Sequence, residues 1–272
     1  MDLVEIFGID IPIVGMVHLD SLPGSPQAAD GLLPAIDAAV RDAKRLVAGG
    51  VDGLMIENYG DSPFYPEDVP KHTVASMTRI ASAVGERVDC PLGINVLRND
   101  AEAALSIAAA VDAEYVRINV HTGAVVSDQG IIEGRAYETL RLREQLGVET
   151  NILVDVDVKH ATPLGRERSL GAQISDLVDR GHADGLILSG PQTGHSVDLE
   201  ALEKAAAVVG ETGLSTPLFV GSGLTPDSVD QLLSVADGAI VGTALKAGGQ
   251  TTNPVDVDRV EQLMAAVAEH RD

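Results

Sequence analysis

The chain has 272 residues, 45% of them hydrophobic, which is more than one small core needs and within the range of a single large α/β domain. Its 41 acidic residues against 19 lysines and arginines give a formal net charge of −22, which argues against nucleic acid and anionic lipid as partners. No apolar run approaches the length of a membrane span, and the N-terminus lacks the basic region of a signal peptide. We therefore expect a cytoplasmic protein without membrane insertion.

The acidity predicts a solvated surface adapted to high intracellular salt, with an ordinary acidic cytosolic protein as the alternative. Lysine is scarce, because only five of the cations are lysines: Lys44, Lys71, Lys159, Lys204 and Lys246. The single Cys90 excludes an intramolecular disulfide. We expect it to be a small core residue rather than a nucleophile.

Eight short apolar runs alternate with stretches of helical periodicity from one end of the chain to the other. The predicted strands are, in chain order, 13–18, 52–58, 91–97, 115–120, 152–159, 184–190, 217–223 and 237–243. Between them, Asp100 or Asn99 is expected to cap one helix, and Gly49 and Gly50 are expected to end another. Eight such units predict a single (β/α)8 TIM barrel domain over residues 1–272.

A doubly wound open sheet is the alternative fold. It favours a G-x-G-x-x-G turn after the first strand, and "HLDSLPGSP" does not match that pattern. Long connections follow strands one, two and four, over residues 19–33, 59–70 and 121–133. All three lie on the carboxyl side of strands, where barrel enzymes keep their active-site loops.

The run "NILVDVDVKHA" places Asp155, Asp157 and Lys159 on one face of a strand and its valines on the other. Because the valines are expected to pack against helices, the charged face is expected to point into the barrel. Other strands also end in polar residues. The candidate catalytic residues are Lys159, Asp157, Asp155, Glu57, His18, Asn95, Arg117 and Asn119, with Asn58 beside them. The alternative is a structural network in which Arg117 and Lys159 neutralise the two aspartates.

Four histidines, His18, His121, His160 and His195, fall at or just past strand ends. With Glu57 and Asp155 they are compatible with a divalent metal such as Mg²⁺ or Zn²⁺. No tight ligand spacing such as H-x-x-x-H occurs, and each histidine is equally compatible with a structural role. No other cofactor is indicated.

Two glycine-rich strand ends, "FVGSGLTPDSV" and "IVGTALKAGG", predict an anion site. Backbone N–H groups there can face one point, and a helix N-terminus adds positive potential. In barrels the loops after strands seven and eight commonly bind phosphate. The candidate phosphate-binding residues are Gly221, Ser222, Gly223, Gly242 and Thr243, extended by Gly190 and Thr193 from "SGPQTG". Ordinary turn glycines are the alternative.

The segment "HTGAVVSDQGIIEGRA" is predicted to be a lid whose glycines permit bending and whose Asp128 and Gln129 reach the ligand. The loop that carries Tyr59, Phe64 and Tyr65 is expected either to cover the ligand or to form a subunit contact in a homo-oligomer.

Several long blocks closely resemble the BtpA/SgcQ family, in order, over residues 11–246. They are "IVGMVHLDSLPGSP", "GLMIENYGDSPF", "PLGINVLRNDA", "YVRINVHTGAVVSDQGIIEGRA", "DVDVKHATPL", "LILSGPQTG" and "VGSGLTPDSV…DGAIVGTALK". The resemblance implies a TIM barrel whose seventh and eighth strands end in a phosphate-binding manner. Family members carry a label of photosystem I biogenesis or membrane-complex assembly, and others lie among sugar-metabolism genes.

The leading hypothesis is an enzyme of lyase or isomerase type that acts on a small phosphorylated metabolite, a sugar or nucleoside phosphate. Lys159 is expected to stabilise an enolate electrostatically, with Schiff-base formation as the alternative. Glu57 and His18 are the acid/base candidates. Two other hypotheses stay open: a metal-dependent hydrolase, and a non-catalytic assembly factor on a barrel scaffold with exposed apolar patches.

Overall fold

The computed structural model describes residues 1–156, 158, 160–165, 168–190, 196–213 and 215–271. The strands are β1 (Ile13–His18), β2 (Gly53–Glu57), β3 (Leu92–Asn95), β4 (Tyr115–Ile118), β5 (Ala124–Ser127), β6 (Gly130–Glu133), β7 (Asn151–Asp155), β8 (Ala161–Pro163), β9 (Gly185–Leu188), β10 (Leu218–Val220) and β11 (Gly238–Val241). The α-helices are α1 (Leu3–Phe7), α2 (Leu33–Ala48), α3 (Lys71–Gly85), α4 (Ala101–Val111), α5 (Ala136–Leu146), α6 (Leu170–Ser175), α7 (Leu199–Thr212), α8 (Val229–Leu233) and α9 (Val257–Arg271).

Eight parallel strands close into a barrel in the order β1-β11-β10-β9-β7-β4-β3-β2. Each of the eight predicted strands overlaps one of these, so the predicted TIM barrel is confirmed. The helix boundaries follow local chemistry. The Asp100 side chain accepts a hydrogen bond from the backbone N–H of Ala103 at 2.8 Å and caps α4. Gly50, with a φ of +97°, follows the end of α2 and takes a left-handed conformation that glycine tolerates best.

Two apolar layers hold the barrel together. The larger core lies between the strands and the helices, and it contains the valines and isoleucines on the outward faces of the strands. The barrel interior is filled by Val14, Met16, Met55, Tyr115, Leu153, Ile187, Phe219 and Ile240. The buried Tyr115 donates its hydroxyl hydrogen bond to the Leu54 carbonyl at 2.7 Å. A Cβ on Gly93 would lie 2.1 Å from the Tyr115 ring, so the glycine makes room for this side chain.

Acidic residues organise the amino end of the barrel. The residue just before a strand often carries a carboxylate that accepts a backbone N–H at the start of a neighbouring strand. Four such bonds run from Ile13 to Asp52 at 2.7 Å and, each at 2.8 Å, from Leu92 to Glu114, from Ile152 to Asp184 and from Leu218 to Asp237. Some of the acidic side chains therefore accept hydrogen bonds from backbone N–H groups at the starts of strands. A buried N–H group without an acceptor would be destabilising there.

The lid segment is more ordered than its glycines predict. β5 and β6 form an antiparallel hairpin, and β8 pairs with the other side of β5. Within the fifth predicted strand, 152–159, β7 ends at Asp155, and the Val156 N–H still donates to the Ile187 carbonyl of the barrel at 2.9 Å. Asp157 and Lys159 lie outside the described residues.

Candidate functional site

The carboxyl ends of the barrel strands surround a cavity of about 690 Å³. Both groups of residues singled out in the sequence contribute to its walls, together with the tip of the hairpin. From those sets the cavity is lined by His18, Glu57, Arg117, Asn119, Asp128, Gln129, Asp155, Gly221, Ser222, Gly223, Gly242 and Thr243. Asp157, Lys159, Thr193 and His195 lie outside the described residues.

Strand periodicity explains why the polar side chains point inward. Each lies two residues after an apolar residue of the barrel interior, so both share one face of their strand. His18 follows Met16, Glu57 follows Met55, Arg117 follows Tyr115, and Asp155 follows Leu153. The apolar layer therefore forms the floor of the cavity, and the ionisable groups stand on it.

Arg117 and Asp155 form a buried ion pair in this layer. The Nη2 atom of Arg117 lies 2.8 Å from Oδ1 and 3.1 Å from Oδ2 of Asp155, and its Nε lies 3.3 Å from Oδ2. Asn119 Nδ2 donates to the same Oδ2 at 2.6 Å. Burial alone would lower the pKa of Arg117, but the neighbouring Asp155 and Glu57 carboxylates outweigh it and raise that pKa. This arrangement fits a fixed electrostatic support better than a group that exchanges protons.

Asn95 lies beneath the cavity rather than in its wall. Its side chain is buried and donates from Nδ2 to the Arg117 carbonyl at 2.8 Å and to Asn119 Oδ1 at 3.2 Å. These bonds orient the amide of Asn119 toward Asp155. The structure therefore gives Asn95 a positioning role, whereas the sequence places it among the catalytic candidates.

Glu57 and His18 form a second titratable pair. Glu57 Oε2 lies 3.7 Å from His18 Nε2, and each side chain is only 8% exposed. The His18 ring packs against Tyr59 with its centroid 4.9 Å away. A Cβ on Gly242 would lie 2.7 Å from His18 Cε1, so this glycine leaves space for the ring. A carboxylate beside an imidazole at a cavity wall is suited to move a proton to and from a ligand.

The glycine-rich loops face the cavity, but not all of them as predicted. The Gly221 N–H donates to the Leu188 carbonyl at 2.8 Å, so Gly221 contributes space rather than a donor to the cavity. The Gly190 N–H donates to Ser222 Oγ at 3.0 Å and links the two loops from behind. Gly223, Gly242 and Thr243 line the cavity itself. The sheet therefore already uses the Gly221 amide, and phosphate binding by these loops stays a prediction.

The loop after β11 is held from outside the barrel. Lys246 is buried, and its Nζ lies 3.1 Å from Oδ2 of Asp42 on α2. Burial lowers the pKa of this lysine, and the Asp42 carboxylate acts in the opposite direction. Lys246 therefore anchors the loop to α2 and does not face the cavity.

Arg259 is a cavity residue that the sequence analysis missed. It lies on α9, and its Nε donates to the Ala244 carbonyl at 2.7 Å, next to the loop after β11. A Cβ on Gly249 would lie 3.7 Å from Arg259 Nη2, so the guanidinium is beside the loop residues that line the cavity. Its position in a C-terminal helix, without a motif, left no local signal of this role.

Arg98 is a second cationic cavity residue that the sequence analysis missed, and it lines the cavity together with the tip of the β5–β6 hairpin. Its backbone N–H donates to the Tyr65 carbonyl at 2.9 Å, and its side chain lines the cavity with Asp128 and Gln129. His160 is also in the wall. The loop of residues 59–70 contributes Tyr59, Ser62 and Phe64 to the same wall, as one of its two predicted roles requires.

The described histidines of the predicted set do not all lie in the cavity. His121 is buried outside the cavity and its Nε2 lies 2.8 Å from the Gly181 carbonyl, while burial lowers its pKa. Only His18 and His160 of the four predicted histidines are cavity residues within the described part of the chain. Among the described residues, no three His, Cys, Asp or Glu side chains come together as a metal ion would require. A divalent metal stays a prediction.

Comparison with known proteins gives consistent matches over nearly the whole chain. The family model described as "BtpA family" matches residues 10–269. The chain is 44% identical over 269 residues to the Photosystem I biogenesis protein BtpA of Synechocystis sp., covering 99% of this chain and 92% of that protein. It is 44% identical over 253 residues to an uncharacterized protein of Methanocaldococcus jannaschii, covering 93% and 94%. It is 33% identical over 268 residues to the putative sgc region protein SgcQ of Escherichia coli, covering 97% of each.

Solved structures support the fold. N-(5'-phosphoribosyl)anthranilate isomerase from Pyrococcus furiosus aligns with a TM-score of 0.58 at 12% identity, covering 95% of this chain and 99% of that one. Thiamine phosphate pyrophosphorylase from Pyrococcus furiosus aligns with a TM-score of 0.58 at 12% identity, covering 96% and 97%. At such identity the likeness concerns the barrel and not the reaction. No helix among the described residues has the length and apolar composition of a membrane span.

Proposed function

Since this chain belongs to the BtpA family, we propose that it is an enzyme acting on a small phosphorylated metabolite, such as a sugar or nucleoside phosphate. The loops after β10 and β11 would hold the phosphate, and Glu57 with His18 would transfer the proton. The observation that carries the proposal is the single cavity that joins the ionisable layer to the glycine-rich loops. Both lie at the carboxyl end of the barrel, where barrel enzymes keep their active sites.

The part of the proposed site that would bind phosphate consists of the loops after β10 and β11 together with a nearby arginine. Gly223 and Gly242 line the cavity, and Arg259 supplies a guanidinium beside the loop after β11. A planar guanidinium can bind two phosphate oxygens at once. In a chain of net charge −22, such a local cation is needed to attract an anion.

The reacting end of the proposed site would carry out enolisation, the step shared by isomerases and aldolases. Glu57 would take a proton from a carbon next to a carbonyl group, and His18 would donate to or accept from the carbonyl oxygen. The buried Arg117–Asp155 ion pair would stay in place while the proton moves, so the electrostatic field acting on the substrate would not change. Lys159 and Asp157, which lie outside the described residues, stay candidates for stabilising the enolate.

Hydrogen exchange tests this proposal without knowledge of the product. The protein is incubated in D2O with a panel of ribose, ribulose, erythrose and glyceraldehyde phosphates, and deuterium at carbon is followed by NMR. We expect exchange in at least one compound, slowed about 100-fold or more in Glu57→Gln. Arg259→Gln is expected to weaken binding of that compound, measured by titration calorimetry. The control Glu86→Gln changes an exposed carboxylate at the end of α3. Absence of binding by any phosphate compound would refute the proposal.

One observation favours a second candidate, a partner-binding assembly factor. Val126 and Ile131 face each other across the hairpin and are 42% and 54% exposed, and Leu164 next to β8 is 53% exposed. Exposed apolar side chains of this kind often mark protein contacts. Two results together would favour this candidate over the enzyme. The protein would show neither phosphate binding nor hydrogen exchange, and Ile131→Ser would abolish its function in cells.

A further inference from the structure

We propose that the phosphorylated ligand also carries a planar aromatic ring, such as a nucleobase, which binds to the side of the cavity formed by Tyr59, Phe64 and Leu97. These three residues are the apolar side of the cavity. This inference rests on the proposed function and narrows its substrate class to sugar phosphates that bear such a ring.

Tyrosine and phenylalanine are scarce in this chain, and two of them line the cavity. The 272 residues include four tyrosines, three phenylalanines and no tryptophan. Phe7, Tyr115 and Phe219 pack in the barrel interior, where they fill space between apolar neighbours. Tyr59 and Phe64 are half-buried and lie in the cavity wall. Flat side chains in a cavity wall offer a stacking surface to a planar ring of a ligand.

The apolar side reaches the part of the mouth opposite the loop after β10. In the closed ring of eight strands, β3 is four positions from β10 in either direction. Leu97 follows β3, and the loop that carries Phe64 is fixed beside it, because the Arg98 backbone N–H donates to the Tyr65 carbonyl at 2.9 Å. A compound whose phosphate lies near Gly223 and which extends across the mouth therefore arrives at Phe64 and Leu97.

Hydrogen bonds hold the backbone of the apolar side in place. Asn58 is 1% exposed, and its Oδ1 accepts from the Leu97 N–H at 2.7 Å. Its Nδ2 donates to Asp61 Oδ2 at 3.2 Å, and Asp61 Oδ1 accepts from the Leu22 N–H at 2.8 Å. The loops after β1, β2 and β3 are thus linked through two side chains. A wall that is already ordered loses little freedom when a rigid ring binds, which favours recognition of such a ring.

The size of the cavity fits a ligand larger than a sugar phosphate alone. Its volume of about 690 Å³ lies within the range of about 300–1,000 Å³ that encloses drug-sized molecules. A sugar phosphate bound at the loops after β10 and β11 would leave the apolar side in contact with water, whereas an aromatic ring placed there would bury apolar surface. The Tyr59 ring packs against His18 with centroids 4.9 Å apart, so the ligand ring would lie next to the pair proposed to transfer the proton.

Titration calorimetry tests the inference with compounds that share a ribose 5-phosphate part and differ at the anomeric carbon. Methyl riboside 5-phosphate has no aromatic ring, whereas phenyl riboside 5-phosphate, adenosine 5′-monophosphate and uridine 5′-monophosphate each have one. We expect at least one of these three to bind about 10-fold more tightly than the methyl riboside, a difference of about 1.4 kcal/mol. In Phe64→Ala this preference is expected to fall to about twofold or less, while the affinity for the methyl riboside stays unchanged.

Three further variants make the result specific. Phe64→Leu keeps an apolar side chain without the flat ring, so part of the preference should remain, and it serves if the alanine variant does not fold. Tyr65→Ala removes the neighbouring ring of the same loop, which is 51% exposed and is not part of the cavity wall, and should change nothing. Arg259→Gln is expected to weaken all four compounds equally, because all would place their phosphate at the same loops. Thermal unfolding of each variant confirms that it is folded.

The outcomes separate this inference from the proposed function. Equal affinity for the methyl riboside and all three aromatic compounds, or a preference that is unchanged in the Phe64 variants, would overturn the ring-binding side and leave the phosphate site standing. Absence of binding by inorganic phosphate and by all four compounds would overturn both.

Discussion

Removal of the Asp155 carboxylate is the sharpest test of how the cavity floor is built. In Asp155→Ala the Arg117 guanidinium, with a side chain 8% exposed, would lose the carboxylate with which it forms its buried ion pair. Asn119 Nδ2 would lose its acceptor as well. Breaking one side of a buried pair costs about 3–5 kcal/mol, and a buried donor left unsatisfied costs about 1–3 kcal/mol. Because both losses occur at one carboxylate, they overlap, and we expect the free energy of unfolding to fall by about 3–5 kcal/mol.

Urea unfolding followed by circular dichroism measures this loss at fixed salt. Asp155→Asn keeps the shape of the side chain and serves if the alanine variant does not fold. The double variant Arg117→Met with Asp155→Leu removes both charges, and we expect it to recover most of the lost stability, to within about 2 kcal/mol of the wild type. A loss below about 1 kcal/mol in Asp155→Ala would refute the reasoning. It would mean that Arg117 finds water or another acceptor at no cost.

Three further predictions use other parts of the chain. Gly221→Ala places a Cβ 2.3 Å from Ser189 Oγ, so we expect a loss of about 1–3 kcal/mol in urea unfolding, whereas Gly210→Ala, with open space around it, should be neutral or stabilising. Burial raises the pKa of Cys90 to about 11, so alkylation by iodoacetamide should rise with pH around that value and be slow at pH 8, unlike in the unfolded chain. If the net charge of −22 is an adaptation to salt, the free energy of unfolding should increase from low to molar KCl.

Each of these three has a result that would contradict it. Equal stability of Gly221→Ala and Gly210→Ala would show that the loop after β10 has room to move. Rapid alkylation of the folded protein at pH 8 would show that the Cys90 thiol is exposed to solvent and that its pKa is not raised. A midpoint of unfolding that does not depend on salt would favour an ordinary acidic protein.

Much of the fold was predictable because the signals are local. Alternation of apolar and polar residues has a period of two in a strand, and eight such runs predict the barrel. The same alternation predicts that Asp155 and Arg117 point inward, since Val154 and Val116 belong to the outer core. The cap at Asp100 follows from its side chain and its place before a helix.

The rest of the candidate site depends on contacts between distant parts of the chain. The hairpin of β5 and β6 gains a third strand only because residues 161–163 return to it, and no local pattern in those three residues announces a strand. Whether the Gly221 amide is available depends on the Leu188 carbonyl, which lies in the neighbouring strand. Arg259 reaches the cavity because α9 closes the ring next to β11.

The sequence by itself determined the type and order of the elements, the direction of the strand side chains and the end of the barrel where polar residues gather. Only the tertiary structure decided which arginines stand in the wall, which glycines provide space and which carboxylate is already paired. The physical reason is that periodicity acts over a few bonds, whereas closure of the barrel brings together groups more than 100 residues apart.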